Sequence, residues 1–175
     1  SGDTDCTVLP IEETFKFSIS QQIYTAEEMN ATSGTIVTVA FKMANNSLVN
    51  RNFRIYMINT EKESFTHTMD WVNLSQDDMV IDLQNPFEYT GDNLLLCVYD
   101  CTGTFEEYGN DARFYTYSTG STPRSLNKAS LQYTYDVTDM SEVYGNYQGT
   151  NPYYNNQVIF TMIIEGVEDN PVSVS

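Results

Sequence analysis

Met79–Gly103 reads MVIDLQNPFEYTGDNLLLCVYDCTG, and this stretch decides the fold. A strand is expected first, then a Pro-Phe break, a Gly-Asp-Asn turn and a second strand. In the second strand Leu94, Leu96 and Val98 point one way, while Leu95, Cys97 and Tyr99 point the other. Side chains alternate faces along a strand, so apolar residues on both faces require cover on both sides. Leu94–Tyr99 is therefore expected at the centre of the molecule, with Asp100–Gly103 emerging at a rim.

Working outward, short alternating runs recur. Phe15, Phe17 and Ile19 alternate with Lys16 and Ser18, which predicts a half-buried strand. Thr25-Ala26-Glu27-Glu28 fits a capping box and one helical turn, broken by Asn30–Gly34. Val37, Val39, Phe41 and Met43 are expected to share one strand face. Phe53, Ile55 and Met57 form another, followed by a long surface connection from Glu61 to Gln76 that holds the only Trp and the only His. Met79, Ile81 and Leu83 lead into the central stretch.

Beyond Gly103 an acidic loop to Asp111 precedes a strand at Phe114–Tyr117, and Ser118–Asn127 reads as a polar turn region. Leu131, Tyr133 and Tyr135 alternate as a strand would. Val158–Ile164 is expected to be a second strand covered on both faces, with Phe15–Ile19 as its neighbour. The pattern predicts an all-β chain: an antiparallel β-sandwich, jelly-roll-like, of about eight or nine strands with one short helical turn. Residues 1–14 are expected to be an N-terminal segment, 15–164 the sandwich domain, and 165–175 a C-terminal tail or linker.

With 175 residues, the chain suits one domain with a proper core. It has no apolar run of membrane-spanning length and no leader, so a mature or trimmed form is expected. The net charge is −16, and no Lys or Arg occurs from Glu63 to Ala112 or after Lys128. Such a surface repels phosphate backbones and anionic lipid, which argues against nucleic acid and membrane insertion. Three cysteines cannot all pair within the chain. Cys97 and Cys101 would lie about 13 Å apart on a continuous strand, too far for a disulfide, although a turn beginning at Asp100 would shorten the gap and Cys6 could meet either; the favoured expectation is Cys97 as a buried small hydrophobe. A zinc site would need a fourth ligand, and only His67 could supply it.

Catalytic chemistry finds little support. A nucleophile needs a base, and His67 stands alone, with no Gly-x-Ser-x-Gly anywhere in the chain. Paired carboxylates for sugar hydrolysis could be drawn from Asp77, Asp78, Glu106 and Glu107, but with 24 acidic residues some pair always presents itself. The chain is therefore expected not to be an enzyme. Calcium is the better chemical idea, since it takes oxygen ligands from irregular loops. Asp100, Asp111 and Asp92 are the candidate ligands, although their spacing matches no EF-hand. For a larger ligand, Tyr144, Tyr147, Tyr153, Tyr154 and Asn151 lie in one Tyr- and Asn-rich loop. Flat rings with hydroxyls beside paired amides suit sugar rings or a protein surface. Trp71 is either a core wedge or a further binding platform.

Several stretches together resemble one family. These are Ser20–Glu28 (SQQIYTAEE), Arg51–Met57 (RNFRIYM), Asp70-Trp71, Pro86–Gly91 (PFEYTG), Asn93–Leu96 with Asp100–Gly103 (DCTG), and Asn156–Phe160 (NQVIF). They are similar to β-sandwich modules of secreted Bacteroidales proteins, which are in turn similar to gingipain-type cleaved-adhesin jelly rolls. The resemblance covers roughly residues 15–164; Cys97 and Cys101 depart from the pattern. It implies a secreted or cell-surface location and a role in cell adhesion or carbohydrate binding. Calcium and further domains of a longer parent protein would accompany that role. The function expected is a non-catalytic binding module for glycan or a host or cell-surface protein. The alternatives are a structural spacer of a larger surface protein or protease, or a glycoside-acting enzyme.

Overall fold

The computed structural model describes residues 4–45, 47, 50–80, 86–144, 152–164 and 167–175, with 167–169 by their backbone alone. Its strands are β1 (Thr4–Cys6), β2 (Phe17–Tyr24), β3 (Gly34–Phe41), β4 (Phe53–Thr60), β5 (Phe87–Tyr89), β6 (Asn93–Asp100), β7 (Phe114–Ser118), β8 (Ser125–Ser130), β9 (Tyr154–Asn156), β10 (Val158–Ile164) and β11 (Val167–Val174). One helical turn, α1 (Ala26–Met29), follows β2. Three antiparallel sheets result, ordered β4-β6-β2-β8, β11-β10-β3-β5 and β1-β7-β9. From β2 to β6 successive strands alternate between the two four-stranded sheets, as in a jelly roll. The chain is an antiparallel β-sandwich.

The central strand is covered as its alternation requires. Leu94, Leu96 and Val98 of β6 face the second four-stranded sheet, packing with Ile36, Phe160 and Met162. Tyr24 meets Phe160 edge-on across this interface, ring centroids 6.0 Å apart. On the other face Leu95, Cys97 and Tyr99 pack with Phe65, Trp71, Leu74, Val137 and Met140. Among the described residues no sheet supplies that second cover. Two irregular connections, 61–80 and 131–143, lie over the strands and insert these side chains, so the expected surface connection after Glu61 is part of the interior.

Gln21 of β2 fixes the first of these connections. Its Nε2 donates to the Val72 carbonyl (2.8 Å) and its Oε1 accepts from the Val72 N–H (2.9 Å). Trp71, next in the chain, is 8% exposed. It is a core wedge rather than a platform. The capping box of α1 forms as the sequence predicts, with Thr25 Oγ1 accepting from Glu28 N–H and Glu28 Oε2 from Thr25 N–H. Asn30 ends the turn in the left-handed conformation, φ 44°.

Several expectations need correcting. Val158–Ile164 is not covered on both faces: Val158, Phe160 and Met162 are buried, but Ile159 is 42% exposed on the outer face. Its neighbours are β3 and β11, while β2 lies in the opposite sheet between β6 and β8. On β3, Thr161 faces Thr38 and Met162 faces Ile36, so Val37 is an extra, unopposed residue. This bulge reverses the alternation: Ile36 turns inward and Val37 is 41% exposed. Leu131 and Tyr133 belong to no strand and are exposed, whereas the polar segment Ser125–Ser130 forms β8. Segment 165–175, expected as a tail, contributes β11, which pairs along β10. In the N-terminal segment β1 pairs with β7, and Leu9 and Ile11 are buried. Ile81 and Leu83 lie outside the described residues.

Candidate functional site

The site is assembled where the start of β8, the end of β7, the approach to β9 and α1 converge. Arg124 N–H and Ser125 N–H both donate to the Pro152 carbonyl (2.9 and 3.2 Å), and Thr119 N–H donates to the Tyr153 carbonyl (2.7 Å). Tyr153 is thereby tied to the β7–β8 turn, 38% exposed, with half-buried Tyr154 following it. Ile23 N–H donates to the Arg124 carbonyl at 2.9 Å, bringing the end of β2 and the helical turn to the same place. There Arg124 Nη1 meets Glu28 Oε1 at 2.6 Å, both side chains about one-fifth exposed (18% and 21%).

Beneath this ion pair the interior is unusually polar. Tyr117 and Asn155 are partners across β7 and β9. Asn155 Nδ2 donates to the Ile23 carbonyl (2.7 Å). Beside it Gln22 and Asn156 bind each other twice, Nε2 to Oδ1 at 2.8 Å and Asn156 N–H to Gln22 Oε1 at 2.7 Å. Asn156 Nδ2 also donates to the Leu9 carbonyl (3.0 Å), and Tyr24 OH to the Asn156 carbonyl (3.0 Å). Buried amides persist when their groups are paired, so this network fixes β9 and its preceding tyrosines firmly. Burial raises the Tyr117 hydroxyl well above the ordinary tyrosine value, with Glu28 adding to the effect. It is neutral at physiological pH.

The other expected site residues are dispersed. Tyr144 is 59% exposed and directly follows Val143, which packs on the loop-covered side of the central sheet. Tyr147 and Asn151 lie outside the described residues. Asp92 and Asp100 bracket β6 and are roughly 26 Å apart along it, too far to share an ion. Asp92 sits in an exposed turn, accepting from Thr90 Oγ1 at 2.8 Å. Asp100 is fully buried and committed: Oδ2 accepts from Arg51 Nε and Nη2 (2.9 and 2.7 Å), and Oδ1 accepts from Thr102 N–H (3.0 Å). Arg51 is completed by the carbonyls of Thr104 and Phe15.

Asp111 is buried too, accepting from Gly109 N–H at 3.1 Å. Its charge, after the larger effect of burial, helps raise the Glu12 carboxyl to about 7. Next to it Glu13 accepts from Ala112 N–H (2.8 Å). Among the described residues no group of three His, Cys, Asp or Glu side chains is arranged to hold a metal.

Two of the residues named for catalysis, His67 and Asp78, are locally engaged. His67 is exposed, its Nδ1 accepting from Met69 N–H (3.1 Å). Asp78 caps a 3-10 turn through Ser75 N–H (2.7 Å). All three cysteines are free thiols, with Cys97 buried.

Fold and site together define an all-β sandwich module whose described exposed tyrosines sit on structured loops. No protein-family model, curated protein or solved structure matches the chain. Tyr153 and Tyr154, singled out by their density in the loop together with Asn155 and Asn156, lie at this corner, whereas nothing in the sequence pointed to Arg124 or Tyr117. The capping-box Glu28 was visible, yet its partner stands 96 residues away. No local spacing could have joined them.

Proposed function

We propose that this chain is a non-catalytic, adhesin-like binding module of a secreted or cell-surface protein, recognising a glycan or a protein partner. One observation carries the reading. Tyr153 is 38% exposed while its backbone is bonded to the β7–β8 turn, next to the Arg124–Glu28 pair. A rigid aromatic surface beside charge-assisted donors is what sugar rings and protein epitopes use, at little ordering cost. The strongly acidic balance, −16 overall, favours uncharged or cationic ligands. The resemblance of Ser20–Glu28, Pro86–Gly91 and Asn93–Leu96 with Asp100–Gly103 to secreted Bacteroidales sandwich modules supports the same reading and location. It also supports other domains of a longer parent protein as companions.

A glycan array and a cell-adhesion assay with Tyr147→Ala and Tyr153→Ala test the proposal. Loss of array or adhesion signal is expected, at least with Tyr153→Ala. No array hit, together with adhesion unchanged in both variants, overturns it in favour of a structural spacer. Calcium belongs to the proposal only through Asp111, because Asp100 is consumed by Arg51 and Asp92 is remote. A ligand bound only to the native state raises the melting temperature. An identical melting temperature in millimolar Ca²⁺ and in EDTA removes calcium from the reading.

A further inference from the structure

Among the described residues the most exposed large hydrophobic side chain is Tyr108, at 89%, and Phe105, three positions before it, is 54% exposed. Both belong to the 103–111 loop, whose backbone is held at many points. Gly103 N–H donates to the Lys16 carbonyl (3.0 Å) and Glu106 N–H to the Glu13 carbonyl (2.7 Å). The Thr104 carbonyl accepts from Arg51 (2.7 Å), the Asn110 carbonyl from Ser47 Oγ (2.7 Å) and the Asp111 carbonyl from Asn45 Nδ2 (3.1 Å). A slack loop could fold such rings inward and gain the free energy of burial. This anchored one keeps both in water. Apolar side chains grouped in that way, rather than scattered singly, mark a contact surface.

The charge around the rings identifies what covers them. Glu106 and Glu107 lie between Phe105 and Tyr108 in the chain, and among the described residues neither has an ion-pair partner. The nearby Arg51 guanidinium is spent on Asp100 and on the Thr104 and Phe15 carbonyls, and no Lys or Arg occurs from Glu63 to Ala112. A second copy of the chain, itself at −16, is repelled, as are phosphates and anionic lipid. A guanidinium fits on both counts, because its plane stacks on an aromatic face while its edge pairs with a carboxylate. We propose that the 103–111 loop is a docking surface for an arginine-rich segment of a protein partner, its guanidinium groups stacked on Phe105 and Tyr108 and paired with Glu106 and Glu107. The loop is tied to Lys16, just before β2, whereas Tyr153 sits beside the far end of that strand, about 23 Å along it. This surface is therefore separate from the one around Tyr153 and does not depend on it.

The test titrates the protein, at physiological salt, with a peptide of alternating arginine and glycine and with a glutamate-glycine peptide of equal length. Only the arginine peptide should bind. The double variant Phe105→Ala with Tyr108→Ala leaves the charge untouched and should weaken binding about tenfold. Its melting temperature should match the wild type, since both rings are exposed. Glu106→Gln with Glu107→Gln should weaken binding by about three- to tenfold. A charge-matched pair, Glu61→Gln with Glu63→Gln, follows β4 at the opposite end of the sheet and should leave binding unchanged, because charges that remote are screened. Equal weakening by the two glutamate pairs, with the aromatic variant binding like the wild type, would reveal diffuse attraction to an acidic protein and overturn the surface. So would no binding of the arginine peptide at all. A clear fall in the aromatic variant's melting temperature would assign the rings to the fold instead. A glycan-array signal abolished by that variant, with peptide affinity intact, would assign the loop to sugar and overturn the proposal too.

Discussion

Gln21 and Val72 hold each other by two hydrogen bonds, 2.8 and 2.9 Å long, between a side-chain amide on β2 and the backbone of an irregular connection. An amide offers a donor and an acceptor at strand-like separation, so the connection is secured as if to a neighbouring strand. Gln21→Leu leaves the Val72 N–H and C=O without partners, at a cost of about 2–4 kcal/mol. Trp71 is the only tryptophan and adjoins the clamp, so its fluorescence reports the outcome. The variant should unfold at lower denaturant, with Trp71 emission shifted to the red and more open to quenchers. Wild-type emission together with wild-type stability would refute the clamp.

Arg51 and Asp100 are almost wholly buried, 1% and 0% exposed, and 2.7 Å apart. Removing one partner of such a pair strands the other's charge, typically at 3–5 kcal/mol. Arg51→Ala should lose stability on the order of 4 kcal/mol by denaturant titration. The double variant Arg51→Met with Asp100→Leu should recover much of it, because well-packed apolar residues often replace buried pairs without loss. A double variant as unstable as Arg51→Ala would place the energy in the Thr104 and Phe15 contacts instead.

Glu12 gives the chain a pH dependence of predictable sign. Burial first, and Asp111 second, raise its carboxyl to about 7 from an ordinary 4.5. The native state therefore holds a proton that the unfolded chain gives up earlier. The resulting stabilisation is complete below about pH 4.5 and is lost as pH rises to about 7. The full swing is on the order of 3 kcal/mol. Glu12→Gln removes this contribution, so its stability measured at pH 5 and pH 8 should differ by less than that of the wild type. Equal pH dependence in the two proteins would show that Glu12 ionises normally. Glu13, raised chiefly by burial as well, leaves a residual slope of the same sign.

The thiols should separate by reactivity. Burial pushes the Cys97 thiol far up, and only the thiolate is nucleophilic. Burial likewise raises Cys6, whereas Cys101 is partly exposed at the rim. A thiol reagent at pH 8 should modify Cys101 first and Cys97 only once denaturant unfolds the chain, as peptide mapping would record. Rapid native labelling of Cys97 would contradict the covered central strand.

What could be read from the sequence tracks how directly a residue's pattern reports its own surroundings. Leu94–Tyr99 was legible because period two with apolar side chains on both faces admits one arrangement. The same pattern at Val158–Ile164 misleads, since Ile159 and its outer neighbours face solvent without penalty large enough to forbid it. β8 was hidden because Ser125 and Asn127, though buried, face a polar seam rather than hydrocarbon. β11 was hidden by its own charges and Pro171, features that suit an edge strand. Leu131, Tyr133 and Tyr135 alternate by coincidence; Tyr135, in the irregular connection over the sheet, meets Tyr99, ring centroids 6.0 Å apart. At the site, aromatic density pointed to Tyr153. The Arg124–Glu28 pairing and the corner below it depend on contacts that only the folded chain brings together.

Because β6 lends one face to each of two hydrophobic interiors, neither can melt while the other stays intact. Irregular connections usually tolerate trimming or replacement. Here 61–80 and 131–143 roof the second interior, and shortening either should uncover Cys97 and Tyr99 and bring down the whole domain. Anyone minimising this chain for display or fusion should cut elsewhere.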